Sequence, residues 1–205
     1  RGTKPLRILI AGHDLKFTAE LQDYFSKCRG AEVELDQWNG HNDMQTPTRV
    51  AQMARADLVW CEWCLGNAVY FSQHKRADQR LIVRLHHQEM EMPWRRRVQW
   101  RAVDSLIAIC PRHHATLAAE LPQLGARLKM IPNLIDCSTF AGPKADGACF
   151  QLGFMGTVPT RKRLDLALDT LDLLRKRDSR YSLSIKGKHP WEIDWLWDRP
   201  EERRW

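Results

Sequence analysis

The sequence predicts an α/β fold: a Rossmann-like parallel sheet with helices on both faces, followed by the start of a second unit of the same kind. Three observations predict it. Short apolar runs recur along the chain, as strands covered on both faces do. Segments of helical spacing separate them, and strands that alternate with helices wind into a parallel sheet. The pattern then lapses across a Gly- and Pro-containing stretch and resumes near residue 150.

The elements follow in order. LRILIAG (6–12) is the first strand, and its closing glycine marks a tight turn. DLKFTAELQDYFSKC (14–28) can place Leu15, Leu21, Tyr24 and Phe25 on one helical face, with acids and lysines on the other. AEVELDQW (31–38), ADLVWCEW (56–63), RLIVRLHH (80–87), DSLIAIC (104–110) and RLKMIPN (127–133) read as further strands. CSTFAGPKADGACF (137–150) collects Gly, Pro and small polar residues and reads as a linker over 137–149. FQLGFMG (150–156) restarts the pattern, TRKRLDLALDTLDLLRKR (160–177) sets Leu164, Leu168, Leu171 and Leu174 at helical spacing, and YSLSIKG (181–187) is a strand. The expected division is a first domain over 1–136, a linker over 137–149, and an incomplete second domain over 150–205, which is short for a doubly wound unit.

Composition narrows the function classes. An apolar share of 43% with 28% charged residues belongs to a chain that buries a core, not to a disordered tail. No stretch approaches the roughly 20 apolar residues that cross a bilayer, and residues 1–20 lack the order of a signal peptide, so the expected location is the cytoplasm. The six cysteines form no regular framework and read as reduced structural thiols. A net charge of +7 favours anionic partners: phosphates, nucleic acid or an acidic membrane face.

Several motifs can carry chemistry. KMIPNLIDCSTF (129–140) leaves a strand through Pro132, Asn133 and Asp136. It resembles the Pro-Asn…Asp…Phe segment that closes the first domain of family 4 glycosyltransferases. LRILIAGHD resembles their first strand and glycine loop, RLHHQE (84–89) their fourth strand end, and LGFMGTVPTRKRLDLALD (152–169) with YSLSIKGK the opening of their second domain. The likeness runs from about residue 6 to residue 190. Leu134, Thr157 and Arg163 depart from it, standing where relatives carry a glycine, a diphosphate-contacting arginine and a second glycine. The family's glutamate pair has no counterpart up to residue 205.

The resemblance implies two facing Rossmann-like domains and transfer of a sugar, with retention, from a nucleoside diphosphate sugar to a hydroxyl acceptor. That sugar nucleotide is a co-substrate; no cofactor and no metal are implied. His86 is the implied catalytic residue, positioning the donor sugar, with His87 a rival. Arg161 and Lys162 are the implied diphosphate ligands, since cations and helix-start N–H groups stabilise the charge a leaving group develops. Gly12 and His13 form a phosphate or acceptor loop, and Glu89 either meets a sugar hydroxyl or caps the next helix. The acceptor, a glycan or a lipid-linked one, is expected against residues 12–17 and 86–97. Cell-surface polysaccharide synthesis and peripheral contact with the inner membrane face are the implied setting.

Each of these residues also has an ordinary reading: a solvated first turn for Arg161 and Lys162, a turn glycine at 12, a strand-end histidine at 86. Cys61 and Cys64 with His86, His87, His113 and His114 suggest zinc on paper, but the spacing is not that of a zinc framework and buried thiols account for the pair. MPWRRRVQWR (92–101) is either a helix with Trp94 and Val98 inward and its arginines solvated or a surface for acidic lipid. KHPWEIDWLWDRPEERRW (188–205) offers rings to a sugar or a partner, or the packed face of a helix; both stay open. A dinucleotide-dependent oxidoreductase is the first alternative function, although the first turn lacks GxGxxG. A basic nucleic-acid-binding module is the second, although the arginines are dispersed among acids, and no specific nucleic acid is expected.

Overall fold

The computed structural model describes residues 4–43 and 46–203, which divide into two compact units, Arg1–Asp136 and Cys137–Trp205. In the first unit the chain runs β1 (Leu6–Gly12), α1 (Ala19–Lys27), β2 (Ala31–Gln37), α2 (Pro47–Arg55), β3 (Leu58–Glu62), α3 (Gly66–His74), β4 (Arg80–Leu85), β5 (Ser105–Ala108), α4 (Pro111–Glu120) and β6 (Leu128–Met130). The strands form one parallel sheet in the order β2-β1-β3-β4-β5-β6. This is the α/β, Rossmann-like architecture that the alternating pattern predicts.

Side chains on a strand alternate between faces, and the two faces of this sheet differ in chemistry. Leu9, Val59, Cys61, Val83, Leu85 and Leu106 belong to one continuous core with Val69 and Phe71 of α3. That helix has no polar side: Asn67 through Ser72 are all buried. The opposite face carries Ile8 and Ile10, then Trp60 and Glu62, then Arg84 and, just past β4, His86. One sheet thus buries hydrocarbon on one face and a charged network on the other.

Local expectations needed correction where caps and tertiary contacts outweigh periodicity. Residues 14–28 do not form one helix: a 3₁₀ turn over Lys16–Thr18 precedes α1, and Tyr24 is 63% exposed. Residues 92–101 form a 3₁₀ turn over Pro93–Arg97 that ends before the buried Val98. Arg95 is not solvated there, because it donates to the carbonyls of Glu89 and Met90 and pairs with Glu120. β6 stops at Met130, since Pro132 has no N–H to continue the ladder.

In the second unit β7 (Gln151–Met155), α5 (Leu164–Arg175) and β8 (Ser182–Lys186) make a strand–helix–strand unit whose two strands pair in parallel. The short helices α6 (Asp194–Trp197) and α7 (Pro200–Arg203) follow. Leu164, Leu171 and Leu174 are half-buried as their spacing predicts, while Leu168 is 47% exposed. Trp191 and Trp195 are exposed around the fully buried Leu196; Trp205 lies outside the described residues. Among the described residues no helix is long and apolar enough to cross a membrane.

Candidate functional site

From β1 the chain crosses to β2 on one side and returns to β3 on the other, so the carboxyl ends of β1 and β3 flank the point where strand order reverses. Doubly wound sheets bind ligands at such a point. Here Gly12 and His13 leave β1, Glu62 and Trp63 leave β3, and His86 leaves the neighbouring β4.

Packing sets these turns. A Cβ on Gly12 would come within 2.7 Å of the Glu62 carbonyl oxygen, so the glycine lets β1 and β3 close on each other. The space a side chain would take is filled by protein backbone, so packing alone requires a glycine here. Asn67, 2% exposed, clamps the same junction by donating to the carbonyls of Ala11 (2.9 Å) and Glu62 (3.0 Å). Trp63 takes a left-handed backbone at φ 72°, a conformation that costs a bulky residue on the order of 1–3 kcal/mol and needs surrounding contacts to hold it. Its indole donates to the Asp14 carbonyl at 2.8 Å.

Around Trp63 the rings converge. His86 packs at 4.2 Å from Trp63 and 4.9 Å from Phe17, centroid to centroid, and His13 lies 5.3 Å from Trp63 and 4.7 Å from His41. Burial, and then the neighbouring His41, lower the pKa of His13.

His86 matches the ordinary reading of a structural histidine hydrogen-bonded at a strand end. It is 3% exposed, and its Nε2 lies 2.7 Å from Glu62 Oε1. Glu62, fully buried, takes Arg84 Nε on both oxygens at 3.0 and 2.9 Å, Arg84 Nη2 at 2.9 Å and Trp60 Nε1 at 3.0 Å. Arg84 also donates to the Phe17 carbonyl and so ties the loop that covers His86 to the network beneath it.

The rivals of His86 go elsewhere. His87 is exposed and stacks parallel on His113, with Nδ1 3.2 Å from His113 Nε2. Glu89 is fully buried and neither caps the turn after it nor faces solvent; its Oε1 accepts from the backbone of Cys64 and His86, and burial raises its pKa. It knits the turns after β3 and β4. The buried thiols of Cys61 and Cys64 are pushed well above their ordinary range by desolvation, which suppresses the reactive thiolate. Among the described residues no group of three or more His, Cys, Asp or Glu could hold a metal ion.

In the second unit Gly156 closes β7 at φ 81°, and a Cβ on it would lie 3.9 Å from Lys162 Nζ, so the ammonium rests against this turn. Arg161 and Lys162 are exposed and carry no side-chain hydrogen bond or ion pair among the described residues. They do not sit on α5, as the unbroken helical spacing suggests: Arg163, at φ 61° and paired with Asp165, separates their 3₁₀ turn from the helix. Glu202, 4% exposed, anchors the turn by accepting from Thr160 N at 2.9 Å. Thr157 donates its hydroxyl to the Lys188 carbonyl at 2.6 Å and is spent there.

Sequence reasoning missed Glu62, Arg84, Phe17 and His41. Arg84 within RLIVRL and Glu62 within VWCEW are the available signal: a charge inside an apolar strand must find a buried partner. Comparison of the chain with models of known protein families and with curated proteins finds no match.

Proposed function

We propose that the protein is a retaining glycosyltransferase that moves a sugar from a nucleoside diphosphate sugar to a hydroxyl acceptor. The observation that carries this reading is the pair of unengaged cations, Arg161 and Lys162, beside the positive-φ turn at Gly156. Cations held at a strand end with no partner of their own suit a diphosphate whose charge grows as the glycosidic bond breaks. In the first unit His86 and His13 follow the carboxyl ends of β4 and β1 and both pack against Trp63, at the point where such sheets take a ligand.

A groove of about 400 Å³ whose lining includes Met90, Glu91, Met92, Arg96, Glu120 and Leu121, with Arg95 already paired to Glu120, suits the acceptor. Its mixture of apolar, basic and acidic groups fits an acceptor that joins an apolar chain to a polar head, as a lipid-linked glycan does. Work at the inner membrane face, in assembly of a cell-surface polysaccharide, follows from such an acceptor.

A thermal-shift scan with nucleoside diphosphates and their sugars tests the reading, because a ligand bound only by the folded state raises its stability. The expected result is a rise with at least one sugar nucleotide that disappears in Lys162→Ala. No rise with any of them at millimolar concentration refutes the reading.

A further inference from the structure

We propose that Glu62, held by Arg84 and Trp60, positions His86 by fixing its proton on Nε2, so that Nδ1 stands as a hydrogen-bond acceptor for a hydroxyl and not as a donor to a phosphate. The tautomer follows from geometry alone; the ligand's identity as a sugar hydroxyl rests on the glycosyltransferase reading.

The donors on Glu62 decide the first step. Arg84 Nε and Nη2 and Trp60 Nε1 lie 2.9–3.0 Å from its oxygens, and guanidinium and indole nitrogens only donate. Every one of these contacts therefore treats Glu62 as an acceptor, which leaves no oxygen to carry a proton toward the histidine. His86 Nε2, 2.7 Å from Oε1, is the donor in that contact.

Charge decides the second step. One guanidinium and one carboxylate, 5% and 0% exposed, already cancel. The other carboxyl beside His86, Glu89, is fully buried, spends Oε1 on the backbone of Cys64 and His86 and is pushed toward its neutral form by burial, so a proton on Nδ1 as well would add a charge that neither carboxyl is free to balance, in a site closed by the rings of Phe17 and Trp63. Burying an unpaired charge is costly, so the ring is neutral. A neutral imidazole that donates from one nitrogen accepts at the other.

The sheet builds this arrangement. Glu62 and Arg84 are direct partners in the β3–β4 register, and His86 lies two residues beyond Arg84, hence on the same face. A phosphate oxygen has no proton to give Nδ1, whereas a hydroxyl has.

The test is the ¹⁵N spectrum of His86 in the whole chain at neutral pH, assigned by its loss in His86→Gln. The expected pattern has Nε2 protonated and Nδ1 in the unprotonated region. An imidazolium pattern, or a proton on Nδ1, overturns the inference from the wild-type protein alone. In Glu62→Gln, whose amide can donate or accept, the two tautomers are expected to mix; a pure Nε2–H form in that folded variant shows that Glu62 is not what sets it. Glu62→Gln is also expected to weaken whichever of the uridine, guanosine or adenosine diphosphate glucoses binds by about fivefold, the worth of one hydrogen bond, and to leave the matching nucleoside diphosphate within about twofold. Equal losses refute the hydroxyl assignment. If none of these sugar nucleotides binds the wild-type chain, the transferase reading fails, while the spectrum still decides the positioning role.

Discussion

Replacing Arg84 by Met leaves the Glu62 carboxylate at 0% exposure without its counter-ion, keeping only the His86 and Trp60 donors. Methionine matches most of the arginine's length, so the loss is electrostatic and not a cavity. Breaking one half of a buried ion pair costs about 3–5 kcal/mol. Adding Glu62→Gln to Arg84→Met removes the orphaned charge and keeps an amide oxygen for one of the two remaining donors, His86 on Oε1 or Trp60 on Oε2, and is expected to restore about 1–3 kcal/mol. The double variant is therefore more stable than the single, the reverse of additive damage. Urea unfolding followed by tryptophan fluorescence measures both. A loss below about 1 kcal/mol, or a double variant less stable than the single, refutes the account of Glu62 as a carboxylate held by Arg84.

Other consequences can be measured separately. Gly12→Ala forces a methyl against the Glu62 carbonyl at 2.7 Å and is expected to cost about 1–3 kcal/mol in the same urea experiment. Phe71→Ala empties a fully buried ring site and should cost about 3–5 kcal/mol. Burial, then His87 and Arg112, lower the pKa of His113, so its contribution is complete above its ordinary value of 6.5 and is lost as pH falls through the folded value; His113→Leu flattens that part of a stability–pH curve. Lys162→Ala, at an exposed position, is expected to leave melting of the free protein unchanged and to weaken a nucleoside diphosphate roughly tenfold by calorimetry. An aromatic disulfide reagent should label Cys137 and Cys149 in the native chain and reach Cys61 and Cys64 only after unfolding.

Much of the fold was legible in the sequence because continuous apolar runs such as LRILIAG state both a strand and its burial on two faces. Boundaries were less legible: Arg163 looks like any residue in a helical stretch, yet its left-handed backbone separates Lys162 from α5. The candidate site was legible only in part. His86 stands out as a histidine at a strand end, but its burial under Phe17 and Trp63 is decided by rings 69 and 23 residues earlier in the chain, which no periodicity connects to it. Gly12 was visible as a glycine after a strand, while what fills its missing side chain, the Glu62 carbonyl, is a tertiary fact.

The ion pair shows what was missing from the sequence, and why a sheet can use a charge to specify itself. Glu62 ends β3 and Arg84 sits in β4, and the two are opposite only in the observed register. Sliding β4 by one residue would place Arg84 on the other face, among Val59, Cys61 and Leu106, and leave Glu62 unpaired. An apolar residue moved from one buried face to another still meets hydrocarbon, so apolar residues alone penalise such a slip less than a charge does. A buried charge pair removes that tolerance, since only one alignment satisfies it. The stability it adds is modest beside an apolar replacement, but the alignment it selects is also the one that brings His86 to Glu62. Positioning of the histidine and choice of strand register are thus one requirement, and substitutions at Glu62 or Arg84 are expected to disturb both together.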